Sequence, residues 1–323
     1  VSISVVIPLC DEVESLRALH QELAEAAQRQ DDEFEFIFVD DGSTDGSWDV
    51  IRQLAVEDRR VRGIRFRSNF GKAAALTAGF EAASGELILT MDADLQDDPH
   101  EISRFLAAID DGEDLVCGWK KIRHDPWHKV LPSRVFNWMI GVLTGVRLHD
   151  HNCGMKCYRR EVLDEIELHG GMYRFAAVLA AARGYKVAEV VVHHRPRKFG
   201  HSHYGFSRFF KGTLDLITVW FRTQFGDKPQ YLFGTVAALL LVFGLMGASF
   251  GWSWFAFAAV LIAVQLFATG LIAEVVAAKL APATRSYSIA ECVGDELTHQ
   301  VPLAPLPAGG NGGGGGGSHR RDP

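Results

Sequence analysis

Five short runs, "ISVVIP", "FEFIFVD", "VRGIRF", "ELILTMD" and "DLVCGW", follow one another along the first 120 residues, and each is apolar almost throughout. Unbroken apolar runs of this length, without alternation, are the pattern of strands buried on both faces. Between them, residues 14–28, 48–56 and 72–83 carry apolar positions at helical spacing. Strand and helix patterns in alternation predict an α/β domain: a mostly parallel sheet covered by helices on both faces. In such sheets ligands bind outside the carboxyl ends of the strands. Acidic residues stand at those ends: Asp11 and Glu12 after the first run, Asp40 and Asp41 after the second, Asp92 and Asp94 after the fourth.

The pattern changes beyond residue 203. Phe206, Phe209, Phe210, Leu214, Ile217, Trp220 and Phe221 recur at three- and four-residue steps, with Arg208, Lys211, Asp215 and Arg222 among them. This predicts an amphipathic helix lying in a membrane interface, or packed on the domain. Residues 231–273 then contain no Asp, Glu, Lys or Arg. That is too long for one crossing of roughly 20 apolar residues, so two transmembrane helices with a turn near "GASFGWSW" are expected. Arg208, Lys211, Arg222 and Lys228 precede the pair, Lys279 and Arg285 follow it, and the turn has no Lys or Arg. The positive-inside rule then places the domain and both ends in the cytoplasm, in an integral protein of the cytoplasmic membrane. The expected division is 1–203 for the α/β domain, 204–228 for the juxtamembrane helix, 229–281 for the two crossings and 282–323 for a low-complexity tail ending in "PLAPLPAGGNGGGGGGSHRRDP". The chain opens on a strand, with no basic segment or cleavage site before it, so no signal peptide is expected.

Composition adds limits. With 323 residues and 48% hydrophobic side chains there is ample material for a core. A formal charge of −7 gives no global attraction to nucleic acid, so phosphates must be held by local basic clusters. Cys10, Cys117, Cys153, Cys157 and Cys292 are an odd, scattered set, as expected of free thiols in a reducing compartment. "NCGMKC" has no second Cys/His pair at zinc spacing, which favours small buried side chains over a zinc site.

The stretch "LTMDADLQDDP" crowds Asp92, Asp94, Asp97 and Asp98 where the fourth strand ends. Like charges gather in this way around a cation or in a solvated loop. Asp92 and Asp94 flank Ala93 and can turn toward one point, and oxygen-only ligands suit Mg²⁺ or Mn²⁺ with phosphate oxygens and water completing the shell. Neither the glycine pattern of a dinucleotide fold nor the Gly-Lys-Ser/Thr of a P-loop is present, so a metal is expected to hold the phosphates.

The ordered motifs "VVIPLCDEVESL", "FVDDGSTDGS", "SNFGKAAALTAGF", "MDADLQDDP", "DHNCGMKCYRREVL" and "RPRKFGHSHYG" resemble the family 2 glycosyltransferases of the GT-A fold. Within that family the chain is most similar to the polyprenyl-phosphate group, which includes dolichyl-phosphate mannose synthase and bacterial undecaprenyl-phosphate glucosyltransferases. The resemblance covers about residues 1–280. It implies that Pro8, Asp11 and Glu12 line a base and ribose pocket, that Asp40 or Asp41 holds the nucleobase or ribose, and that Lys72, Asp92 and Ala93 help bind the donor. It implies Asp92, Asp94 and Gln96 as ligands of the divalent metal, with Asp94 in the catalytic set. Arg195, Arg197, Ser202 and Tyr204 fall in the basic segment that closes over the diphosphate or the acceptor phosphate. The family usually has Asn at the position of Asp11 and Lys at that of His203.

Such an enzyme needs its leaving diphosphate neutralised by the metal and nearby arginines. A lipid phosphate acceptor is already anionic, so it needs cations more than a strong base. "WKKIRHDPWHKVLPSRVFNW" interleaves Lys120, Lys121, Arg123, Lys129 and Arg134 with Trp, as a docking loop for lipid phosphate would; Arg123, Ser133 and Arg134 are the expected contacts, against a plain solvated loop. Asp150 matches the family's candidate catalytic carboxylate, as base or as a group that orients the sugar, against a turn cap. Direct attack on the anomeric carbon inverts its configuration. A processive polysaccharide synthase shares the donor motifs, but its acceptor-binding Gln/Arg-x-x-Arg-Trp motif is absent, and an inactive scaffold would be expected to lose the Asp-x-Asp or basic segments. The expected partners are a UDP- or GDP-linked sugar, a polyprenyl phosphate and membrane lipid; a homo-oligomer is compatible with the sequence, and the sugar is not specified by it.

Overall fold

The computed structural model of the chain describes residues 1–122, 127–166, 168, 170–196, 207–225 and 288–294, and the single positions 261, 264, 265, 268, 272 and 275. The five apolar runs are strands β1 (Ser2–Leu9), β2 (Glu33–Asp40), β3 (Val61–Phe66), β4 (Leu87–Thr90) and β5 (Leu115–Trp119). The expected helices are α1 (Leu16–Ala27), α2 (Ser47–Glu57) and α3 (Lys72–Ala82). The remaining elements are α4 (Ile102–Asp110), α5 (Trp127–Thr144), β6 (Lys156–Arg159), α6 (Arg160–Glu165), α7 (Ala176–Ala182), β7 (Val187–Val191), α8 (Ser207–Phe225) and β8 (Ile289–Val293).

All eight strands form one sheet in the order β7-β5-β6-β4-β1-β2-β3-β8. β1 pairs in parallel with β2 and β4, β2 with β3, and β5 with β7. β6 is antiparallel to both β4 and β5, and β8 is antiparallel to β3. The sheet is therefore mostly parallel, as expected, with β6 and β8 running the other way. β6 reads "KCYR", too short and too charged at its ends to register as a buried strand in the sequence.

Side-chain alternation along the strands splits the interior into two layers. Ile3, Val5 and Ile7 of β1 pack with Phe36 and Phe38 of β2 against α1, α2 and α4, to which α1 contributes Leu16, Leu19 and Leu23. Val6, Ile37, Val39 and Ile64 face the other way, onto the alanine-rich α3. Each such fully buried Leu, Ile or Phe contributes about 2 kcal/mol of transfer free energy. A third layer joins α5, α7 and α8 through Phe136, Ile140, Val178, Leu216 and Val219.

α8 occupies the heart of the expected juxtamembrane helix, and it packs one face on the domain through Leu216, Val219 and Phe221 while leaving Leu214 exposed. The expected membrane pair lies mostly outside the described residues; the described positions within 229–281 are all helical. Among the described residues no helix is long and apolar enough to cross a membrane. β8 falls within residues 282–323, the range expected to be a tail. Five residues there return to the domain and extend the sheet at β3.

Candidate active site

Because β1 pairs with β2 on one side and β4 on the other, the strand order reverses direction at β1, which makes its carboxyl end the topological switch point of the sheet. β1, β2, β4, β5 and β7 all point to that edge, and antiparallel β6 starts from it. The segments after β1, β2, β4, β5 and β7 and before β6 therefore gather there. With the last residues of β1 and β2, they carry the expected site residues that the structure describes, apart from Lys72 at the start of α3 and Ser133 and Arg134 on α5.

Pro8 sits near the end of β1, opposite Val39. By alternation its missing N–H faces β4, whose ladder with β1 ends at the pair Val6 and Thr90, so no sheet hydrogen bond is lost. Asp11 follows in the left-handed region (φ +56°), which Asp and Asn tolerate better than most residues. Its amide donates to Ser43 Oγ (2.8 Å), and its Oδ1 accepts the Thr44 amide (2.8 Å). The Glu12 amide donates to Ser47 Oγ (3.0 Å). These bonds join the loop after β1 to the loop after β2 as one wall.

Asp40 and Asp41 behave differently within that wall. Asp41 is buried and accepts the amides of Phe70 (2.7 Å) and Gly71 (2.8 Å), which fixes the entry to α3. Asp40 Oδ1 accepts the Ser43 amide (2.8 Å), and its Oδ2 faces Arg65 Nε at 3.6 Å. Burial raises both carboxyls above their ordinary value, more than these hydrogen bonds lower them. Gly42 follows at φ +76°, and a Cβ there would lie 2.6 Å from the Ser68 carbonyl carbon, so "DDG" admits only glycine at its third place.

The acidic stretch leaves β4 as a tight loop. Asp94 is buried and its Oδ1 accepts the Gln96 amide (3.1 Å). Leu95 between them has φ +59°, a conformation that costs about 1–2 kcal/mol outside glycine and is held here by burial of the Leu95 side chain. Asp92 is half-buried and contacts the Lys72 ammonium at the start of α3. Burial alone would raise the Asp92 carboxyl, but Lys72, then Lys120 and Lys156, outweigh it and hold it below its ordinary value. Gly154 presses against the same carboxylate: a Cβ at that position would fall 2.6 Å from Asp92 Oδ2. Thr90 Oγ1 donates to the Gly154 carbonyl (2.7 Å) and keeps the two segments together. Gln96 places its side-chain nitrogen against His194 Nε2 (3.3 Å) and the Arg195 carbonyl (3.4 Å).

The donor atoms fit a hard divalent cation. Asp92 and Asp94 offer carboxylate oxygens alone, and the space beside the Asp92 carboxylate is one that a methyl group on Gly154 would fill. The neighbouring Cys153 thiol is pushed up to about 12, chiefly by burial. Two carboxylates with phosphate and water completing the shell is the usual arrangement for Mg²⁺ or Mn²⁺.

Asp150 is buried in the turn that leads to Gly154 and accepts the Asn152 amide (3.1 Å) on Oδ1, so it caps that turn. The turn is anchored on both sides. Asn137 of α5 donates to the His149 carbonyl (2.7 Å), and the His149 amide donates to Glu189 Oε2 of β7 (2.8 Å). The His149 ring stacks on Trp119, with centroids 3.9 Å apart. On α5, Ser133 is half-buried and Arg134 exposed. Arg195 pairs with Glu22 (2.6 Å) and Asp98 (2.8 Å). Arg123, Arg197, Ser202 and Tyr204 lie outside the described residues.

Three residues emerge from the structure with roles that the motifs did not suggest. Lys120, grouped by sequence with a docking loop, turns inward at the end of β5 and pairs with buried Asp97 (2.7 Å). Burial alone would lower its ammonium, yet Asp97 above all holds it above the ordinary lysine value. Lys156, at the start of β6, is buried and donates to the Cys153 carbonyl (2.5 Å). His151 is buried beside it, and burial first, then Lys156, push it down to about 4. A lysine inside "GMKCY", among otherwise apolar neighbours, is the signal that could have marked Lys156.

Acidic residues gather at the switch point of a GT-A-like α/β sheet, and comparison with known proteins identifies the domain as that of a glycosyltransferase. Residues 4–167 match glycosyl transferase family 2. The chain is 35% identical over 295 residues to dodecaprenyl-phosphate galacturonate synthase of Rhizobium johnstonii, covering 85% of this chain and 87% of that protein. It is 33% identical over 286 residues to undecaprenyl-phosphate 4-deoxy-4-formamido-L-arabinose transferase of Aeromonas hydrophila, covering 84% of this chain and 87% of that protein. Among solved structures, glucosyl-3-phosphoglycerate synthase of Mycobacterium tuberculosis in complex with Mn²⁺ and UDP-glucose shares the fold, with a TM-score of 0.52 at 19% identity over 69% of this chain and 78% of that one. The chain belongs to glycosyl transferase family 2 and is a glycosyltransferase.

Proposed function

We propose that the chain transfers a sugar from a UDP- or GDP-linked donor to a polyprenyl phosphate, with Mg²⁺ or Mn²⁺ and inversion at the anomeric carbon, giving a lipid-linked monosaccharide for envelope glycan or protein glycosylation. The observation that carries this reading is the Asp92 carboxylate packed against Gly154, two residues before buried Asp94, in a chain whose relatives are named for polyprenyl-phosphate sugar transfer. The solved neighbour's complex with Mn²⁺ and UDP-glucose supports a nucleotide-sugar donor and a divalent metal.

In this reading the joined loops of Pro8, Asp11, Glu12, Asp40 and Asp41 form the wall that receives base and ribose. Lys72 and Ala93 flank the diphosphate, and Asp92, Asp94 and Gln96 face the metal, which when bound offsets the charge that builds on the leaving diphosphate. Asp150 orients the sugar. An acceptor phosphate oxygen forms the new bond to the anomeric carbon as the bond to the diphosphate oxygen breaks, and an ionised acceptor needs no proton removed. Arg123, Ser133 and Arg134 hold the acceptor phosphate, with Arg197, Ser202 and Tyr204 in the segment beyond β7; Arg195 at the root of that segment is engaged by Glu22 and Asp98.

The membrane arrangement belongs to the same proposal. Leu131, Val135, Trp138 and Val142 recur at helical steps along α5, and all are exposed, as is Leu214 on α8. An apolar stripe beside Arg134 suits a surface resting on lipid at the mouth of the site. Residues 204–228 then lie along the interface and 229–281 cross the membrane twice, with the 1–203 domain and the 282–323 segment in the cytoplasm.

The test uses purified protein in detergent with Mg²⁺ or Mn²⁺, undecaprenyl phosphate and a panel of labelled nucleotide sugars. Label entering the organic phase for one donor, lost with EDTA and in Asp94→Ala, is the expected result. No lipid label with any donor overturns the acceptor, and a product that keeps the donor's configuration overturns direct displacement.

A further inference from the structure

The root of the basic segment beyond β7 is bound to the acidic loop through the backbone and the side chain of one residue. Arg195 donates its amide to the Gln96 carbonyl (2.9 Å) and receives the Gln96 side-chain nitrogen on its own carbonyl (3.4 Å). The residues next to these, Asp97 and His194, form an isolated antiparallel bridge. The guanidinium spans two carboxylates, Nη1 to Glu22 of α1 (2.6 Å) and Nη2 to Asp98 (2.8 Å). Asp98 in turn accepts the His100 amide (3.0 Å) at the start of the turn that follows the loop.

We infer that Arg195 is a positioning residue that fixes the 92–98 loop, and with it the carboxylates of Asp92 and Asp94, rather than a ligand of phosphate. This rests on the metal reading proposed above. Two observations carry it. Glu22, Asp98 and His100 bring ligand atoms within 4.8 Å of one another, the spacing of a cation site, and the cation at that corner is the Arg195 guanidinium. One guanidinium against two carboxylates also leaves the corner negative, so it repels a phosphate instead of drawing one in. The contacts span three elements: Glu22 on α1, the loop after β4, and the chain after β7. Loss of the guanidinium therefore removes the ionic tie between the loop and α1 and leaves Glu22 and Asp98 facing each other.

The experiment measures Mn²⁺ binding by the full-length protein in detergent, from the loss of the free-ion electron paramagnetic resonance signal, alongside donor and acceptor KM. Arg195→Met is expected to weaken Mn²⁺ binding about tenfold or more, the range in which groups that orient metal ligands act. Acceptor KM stays unchanged, and Arg195→Lys recovers part of the loss. Glu22→Ala shifts Mn²⁺ affinity in the same direction, although Glu22 cannot attract a phosphate, and it carries the test if Arg195→Met does not fold. The double variant is expected to be no worse than Arg195→Met alone. A raised acceptor KM with unchanged Mn²⁺ affinity in Arg195→Met, or variants that bind Mn²⁺ as the wild type does, overturns the inference alone. A wild type that binds no Mn²⁺ overturns the metal reading and this inference with it.

Discussion

Gly154 shows how one missing side chain can serve a charged site. A methyl group there meets the end of a flexible carboxylate, not backbone, so the fold can accept it by turning Asp92 aside. Gly154→Ala is expected to melt within a few degrees of the wild type while transfer falls by about 100-fold, as for a reacting group displaced by roughly 1 Å; label transfer and a thermal melt on the same sample check both halves. His151 makes a pH prediction at the same scale. Its folded value of about 4 lies below the ordinary histidine value of 6.5, so the unfolded chain binds the proton first. Stability is therefore fully present above about pH 6.5 and lost as pH falls toward 4, by about 3 kcal/mol in total. Urea unfolding of the wild type against His151→Leu across that window should show the wild type losing more stability; equal slopes would remove His151 as the cause.

Between elements, the Lys120–Asp97 pair joins the end of β5 to the acidic loop, with the Asp97 side chain fully buried. Removing one partner of a buried pair leaves a charge without compensation. Lys120→Met should therefore cost about 3–5 kcal/mol of stability, and Lys120→Met with Asp97→Leu should recover most of it. Urea midpoints for the two single variants and the double close the cycle, and additive losses would mean the pair does not couple. The same pair shows where sequence reading reaches its limit. β1 to β5 and α1 to α3 were legible because each is a continuous run with one period, buried against its neighbours in the chain. β6 and β8 were not, since each is four or five residues long and owes its strand form to partners far away in sequence: β6 lies between β4 and β5, and β8 lies on β3. The acidic cleft was legible for a related reason, because carboxylates after apolar runs fall at one sheet edge whatever the loops do. The inward turn of Lys120 depends on Asp97, 23 residues earlier in the chain, and only the folded loop brings the two together.

At the scale of the whole molecule, β8 bears directly on the membrane arrangement. It pairs with β3 from Gly63↔Val293 to Phe66↔Ile289, and Trp48 Nε1 of α2 donates to Glu291 Oε2 (2.9 Å), so residues 289–293 belong to the same folded body as the acidic sheet edge. α8 is also packed on that body, through Leu216 and Val219. Both ends of the segment from 226 to 287 therefore lie on the domain. If it enters the bilayer, it must cross an even number of times, and the uncharged stretch 231–273 has length for two crossings at roughly 20 residues each. The positive-inside rule reaches the same orientation from Lys228, Lys279 and Arg285, through charge where β8 argues through pairing. The expected outcome is that an epitope added after Pro323 and the catalytic domain are digested from the same face of sealed membrane vesicles, while an epitope inserted at Gly251 is digested only from the opposite face. If the Gly251 epitope were cut from the domain's own face, the segment would not cross, and α5, α8 and the apolar stretch would have to hold the enzyme on one surface of the membrane.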